Sequence, residues 1–201
     1  MVKQILWFGA LLAGSFFLSS CQTLFNFSPD RAAVEELITN SPVSLEIHPE
    51  TIRVLQLLES EQGIMVLTTY LATNESNQIN ECLSLYKTAK VSQGWTAYGQ
   101  GLSCWPAALI DQEPIRVTMG QNSTGESSSS DVSGLVFDPQ IMSIEVIWDD
   151  GTIQDLEIVK GSYLAVRSGQ YSVQFVHAFD EAGELVYSYE ETKPAPGKEN
   201  P

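Results

Sequence analysis

The chain has 201 residues, room for one medium domain or two small ones, and carries 10 Lys and Arg against 25 Asp and Glu, a formal charge of −15. That balance argues against nucleic acid as a partner, because phosphate backbones need a basic footprint, and against electrostatic adhesion to anionic headgroups. The length is enough to bury a core without a structural metal or a dense set of disulfides.

Met1-Val2-Lys3-Gln4 is a short, singly positive start, and Ile5 to Leu18 is an apolar run. The run is too short for a membrane-spanning helix, which needs about 20 apolar residues, but it suits the hydrophobic region of a signal peptide. Leu18-Ser19-Ser20-Cys21 follows directly. This order resembles the lipobox of bacterial lipoproteins, with Ser rather than the more typical Ala or Gly before the cysteine. The resemblance implies removal of residues 1–20, lipidation of Cys21 (diacylglycerol and palmitate), and attachment to a membrane of the cell envelope, facing away from the cytoplasm. Gln22 stands where Asp would hold such a protein at the inner membrane, which implies the outer membrane in a Gram-negative cell. The competing readings are an ordinary secretory signal with a chance cysteine, and a retained membrane anchor.

Residues 21–29 are expected to be a tether. Ser28-Pro29-Asp30 then offers a helix start, with Ser28 as N-cap and Pro29 in the first turn. Ala32, Ala33, Val34, Leu37 and Ile38 give a short apolar stripe, and Pro42 stops the helix near Asn40. This is the one helix the sequence supports. Beyond it, Ile52–Glu59 and Ile64–Ala72 read as a hairpin, and Cys82–Val91 with Trp95–Cys104 as a second around Ser92-Gln93-Gly94. Residues 121–131, polar and rich in Ser, read as an exposed loop or linker and mark the only candidate boundary. After it, Ile144–Trp148 and Ile153–Val159 flank Asp149-Asp150-Gly151, a hairpin signal. Tyr163–Arg167 follows, then a strand with Val173, Phe175, His177 and Phe179 on one apolar face, then Leu185, Tyr187 and Tyr189. Residues 191–201, with three prolines and no large apolar side chain, read as a disordered tail.

The expected fold is mainly β: an antiparallel β-sandwich or barrel-like structure with one short N-terminal helix, either one unit or two packed β subdomains. A first β region would span 30–120 and a second, sandwich-like region 132–190. The second region weakly resembles the β domains of uncharacterised secreted bacterial proteins, through Gly134-Leu135-Val136-Phe137-Asp138-Pro139, the Trp-Asp-Asp-Gly turn and Gly161-Ser162-Tyr163. That resemblance implies a fold type and no chemistry.

Chemistry-bearing patterns are sparse. His48 and His177 belong to no cluster with metal-ligand spacing, and His177 on its apolar face reads as a structural, half-buried histidine rather than a base. No nucleophile elbow or phosphate-cradling loop is present. Asp149, Asp150, Asp155 and Glu157 gather at one hairpin without the ligand order of a calcium loop, and Asp before Gly is ordinary turn chemistry. No cofactor or metal is expected. Trp95, Tyr98 and Trp105 lie in a Gly-rich segment and are the candidates for stacking on a sugar; the alternative is that they fill a core.

Cys82 and Cys104 remain once Cys21 is acylated, and in an exported protein a disulfide is the expected use, a reactive thiol the alternative. If Ser92-Gln93-Gly94 is a three-residue loop, Val91 faces Trp95 and Cys82 faces Cys104; a two-residue turn would set Cys82 against Ser103 unless Gly99 or Gly101 hosts a bulge. The functional expectation is a non-enzymatic binding or assembly module of the cell envelope, with an envelope protein or a glycan such as peptidoglycan as partner. An envelope hydrolase is the rival.

Overall fold

The computed structural model describes residues 31–39, 45–60, 63–91, 94–124 and 127–191. Cys21, the signal and tether segments and residues 192–201 lie outside the described residues. Among the described residues the architecture is mainly antiparallel β, in three sheets with one α-helix, α1 (Arg31–Thr39).

The first sheet holds β1 (Glu46–Ile47), β2 (Arg53–Ser60), β3 (Gly63–Thr73), β4 (Ile79–Val91) and β5 (Gly94–Pro106). β1 and β2 both pair with β3, which pairs with β4, which pairs with β5. The middle sheet consists of β6 (Ile115–Thr124), β7 (Ser127–Val136) and β10 (Ser162–Ser168), with β7 at its centre. The outer sheet orders β12 (Leu185–Glu190), β11 (Val173–Phe179), β8 (Ser143–Trp148) and β9 (Ile153–Glu157).

Alternation along the strands builds the layers, because successive side chains point to opposite faces. Val34 and Ile38 of α1 join Val66, Tyr70, Cys82 and Tyr86 in one buried cluster on one face of the first sheet. The intervening residues Met65, Leu67, Leu83 and Leu85 cluster instead with Leu135 and Leu164 of the middle sheet. Across the middle sheet, Val132, Tyr163 and Ala165 face Ile144, Val146, Trp148, Val176 and Ala178 of the outer sheet. The molecule is therefore a stack of helix, first sheet, middle sheet and outer sheet, and the middle and outer sheets form a seven-stranded sandwich. Gln56 donates to the Ser162 carbonyl at 2.7 Å and Lys160 to the Val54 carbonyl at 3.1 Å, which stitches β2 to the β9–β10 side of that sandwich.

Turn chemistry fixes the connections. Asp150 accepts the Thr152 N–H at 3.0 Å while Gly151 sits at φ +81°, closing the β8–β9 hairpin. Lys160 and Gly161 both have positive φ between the bridged pair Val159 and Ser162, as a two-residue primed turn requires.

Three expectations are corrected. The described residues among 121–131 are strand rather than loop or linker: Asn122 pairs with Ser129, Gln121 with Ser130 and Gly120 with Asp131, between β6 and β7. Here short polar side chains are satisfied internally; Ser130 Oγ donates to the Gly169 carbonyl and accepts the Tyr171 N–H. The passage from the first sheet to the sandwich falls earlier, after a short 3-10 helix at Ala107–Gln112. Second, Phe175, His177 and Phe179 do not share a core face with Val173. The β8–β11 register shifts between Val173 and Phe175, so the core face continues through Val176 and Ala178 and turns His177 outward. Third, Val91 pairs with Gly94, so only two residues separate β4 and β5. A register shift opposite Leu85 and Tyr86, at Gly101 and Gly99, restores the alignment that sets Cys82 against Cys104.

Candidate functional site: an open sheet face

The outward turn of β11 places Phe175, His177 and Phe179 in a ladder on the outer face of the outer sheet. Their ring centroids are 5.6 Å and 6.2 Å apart in succession. The register then defines three rows across β9, β8 and β11: Ile153–Ile147–Phe175, Asp155–Glu145–His177, and Glu157–Ser143–Phe179. Glu190, Ser188 and Leu185 of β12 extend the rows. His177 Nδ1 lies 3.4 Å from Glu145 Oε1, with about a fifth of each side chain in solvent. Ile153 and Leu185 are more than half exposed. An imidazole beside a carboxylate is acid–base chemistry in principle; this pair lies on the outer face of the sheet, with most of both side chains covered by their neighbours.

The other candidates fall elsewhere. Cys82 and Cys104 are joined in a disulfide with Cα atoms 4.1 Å apart. Trp105 is half-buried in the cluster between the first and middle sheets, and the Arg116 guanidinium lies 5.7 Å from its ring centroid, so it is a packing residue with a cation over it. The side chains of Trp95 and Tyr98 lie outside the described residues. Among the described residues no group of three or more His, Cys, Asp or Glu is placed to hold a metal. Asp150 is committed to a bidentate pair with Arg167 at 3.1 and 3.0 Å, and that pairing holds its carboxyl well below the usual carboxylate range. Arg167 in turn lies 3.8 Å from the Tyr171 ring centroid and 5.2 Å from that of Trp148. His48 Nε2 is 2.8 Å from Thr73 Oγ1, a local contact at the end of β3.

Sequence reading missed Asp131, one of the most deeply buried charged groups, 3% exposed on the central strand of the middle sheet. Gly120 opposite it leaves the space its carboxylate occupies: a Cβ there would lie 2.7 Å from Asp131 Oδ1. A cavity of about 250 Å³ adjoins it, lined also by Met119, Tyr171 and Glu191. Burial pushes the Asp131 carboxyl up to about 6, against the opposing pull of an Asn122 amide donating at 3.3 Å. The folded chain therefore holds a proton that the unfolded chain releases near pH 4. This group's contribution to stability falls as pH rises from about 4 to about 6 and is level above that. Asp131→Asn is expected to stabilise the protein by about 1–2 kcal/mol at pH 7.5 and by little at pH 4. Urea unfolding of both chains at the two pH values checks it; a difference independent of pH would count against the assignment.

The chain matches no family model, curated protein or solved structure. Among the described residues no helix is long and apolar enough to cross a membrane.

Proposed function

We propose that the protein is an exported, lipid-anchored binding module of the cell envelope, and that the outer face of its outer sheet meets the partner. The observation carrying this reading is the ladder of half-buried Phe175, His177 and Phe179 on the outer face, with exposed Ile153 and Leu185 beside it, where a sheet that served only stability would present solvated polar residues. Leu18-Ser19-Ser20-Cys21 supports the anchor, and the Cys82–Cys104 bridge suits an oxidising compartment outside the cytoplasm. Binding is favoured over hydrolysis because the face offers a broad apolar and acidic surface, of which the His177–Glu145 pair is one row. Glycan recognition through Trp95, Tyr98 and Trp105 is disfavoured by the packing of Trp105.

Two measurements test the two halves. Cys21→Ser is expected to abolish lipid labelling and move the protein from the membrane to the soluble fraction; continued membrane fractionation would remove the anchor from the proposal. For the face, a photo-crosslinking side chain installed at Ile153 is expected to trap an envelope component in cells. The same group at Glu75, exposed in the β3–β4 turn, should not. Equal trapping at both positions, or none at Ile153, would overturn the binding face.

A further inference from the structure

We infer that the occupant of this face is a basic polypeptide segment whose contacting side chains run apolar, cationic, apolar, a reading that rests on the face being a binding surface. The four strands of the outer sheet contain Glu145, Asp155, Glu157 and Glu190 and no Lys or Arg. The register puts all four carboxylates on the outer face: Glu145 and Asp155 share a row with His177, Glu157 pairs with Ser143, and Glu190 pairs with Phe175. Among the described residues Asp155, Glu157 and Glu190 have no ionic partner, while Glu145 has only His177.

The order of the rows gives the partner's pattern. Neighbouring rows lie about 7 Å apart, two residues along a strand, which is the spacing of side chains on one face of an extended chain. A row of Ile153, Ile147 and Phe175, ending in Glu190, comes first, then the row of Asp155, Glu145 and His177, then Glu157, Ser143, Phe179 and Leu185, whose apolar half lies on β11 and β12. Beyond Phe179 the surface continues into a hollow lined by Met142, Asp180 and Glu181, again apolar and acidic. An extended segment with a Lys or Arg between two apolar residues matches this order, its cation between the carboxylates and its apolar side chains over the two flanking rows. An acidic glycan would meet like charge.

The test uses the full chain carrying Cys21→Ser, labelled with nitrogen-15, and a synthetic peptide alternating Leu-Ser-Arg-Ser-Leu. Amide shifts are expected to move in β8, β9 and β11. Apparent affinity should fall about fivefold in the Asp155→Asn, Glu157→Gln double variant, with β shape preserved by circular dichroism. The same peptide with Glu in place of Arg should leave the spectrum unchanged. Absence of shifts in these strands with the Arg peptide at millimolar concentration overturns the inference. So does a face that responds to chitotetraose but not to the Arg peptide, or one occluded by a dimer that Phe175→Glu dissolves. In each case trapping at Ile153 reports separately whether the face binds at all.

Discussion

Reduction of the Cys82–Cys104 bridge is expected to lower the melting temperature by about 6–12 °C. A cross-link between residues 22 apart removes chain entropy from the unfolded state worth about 3 kcal/mol, and a chain of this size loses about 2–4 °C per kcal/mol. The bridge is well placed to have that effect in full. Cys82 is completely buried under α1 with Val34 and Ile38, and Cys104 holds β5 to β4 beyond the register shift at Gly99 and Gly101. Scanning calorimetry of the Cys21→Ser chain with and without reductant measures the change, and Cys82→Ala with Cys104→Ala should reproduce the reduced protein. Coincident melting of oxidised and reduced chains would show that the native fold does not depend on the bridge. The expected loss also bears on the export proposal, since a reducing compartment would forgo this stabilisation.

How much of this was legible in the sequence follows from what alternation can carry. β8 and the hairpin at Asp149-Asp150-Gly151 are readable because one face of the strand is apolar and its turn has a Gly at positive φ. The Ser-rich pair of β6 and β7 is not, because its burial rests on hydrogen bonds such as those of Ser130, and polar composition looks the same in a loop. The cysteine pairing follows from a three-residue loop or from a two-residue turn with a bulge, and the molecule uses the second: the shift at Gly99 and Gly101 compensates the two-residue turn. The face of β11 was inverted because a bulge after Val173 carries no Gly or Pro to announce it. That inversion hid the candidate site. Phe175, His177 and Phe179 read as one apolar face with Val173, His177 half-buried on it, and Glu145 and Asp155 become their neighbours only through the strand order. One signal was available: the four strands carry four carboxylates and no Lys or Arg, an imbalance that pairing then gathers onto one side.

Among the described glycines Gly134→Ala is expected to be the most damaging substitution, costing about 3–4 kcal/mol or preventing folding. Gly134 lies on β7, the central strand of the middle sheet, between Val117 on β6 and Tyr163 on β10. The fully buried Tyr163 ring crosses over it, and the Tyr163 hydroxyl donates to the Arg116 carbonyl at 3.1 Å. A Cβ at Gly134 would be driven into both the ring and that carbonyl oxygen. The ring could give way only by abandoning its hydrogen bond, worth about 1 kcal/mol, and by disturbing its packing with Val132, Ile144 and Trp148. The carbonyl is backbone in a paired strand and cannot give way without loss of the ladder, so the overpacking cost sits at or above the usual 1–3 kcal/mol. Tyr163→Phe separates the two parts. It removes the hydroxyl alone and should cost about 1 kcal/mol, leaving the sandwich intact. Denaturant unfolding of the two variants decides the matter: if Gly134→Ala is no less stable than Tyr163→Phe, the ring does not lie where this packing puts it. The outer sheet, and with it the ladder of Phe175, His177 and Phe179, rests on that middle sheet. Gly134→Ala should therefore also abolish trapping at Ile153, although it lies on a different sheet from that residue and touches no part of the proposed face.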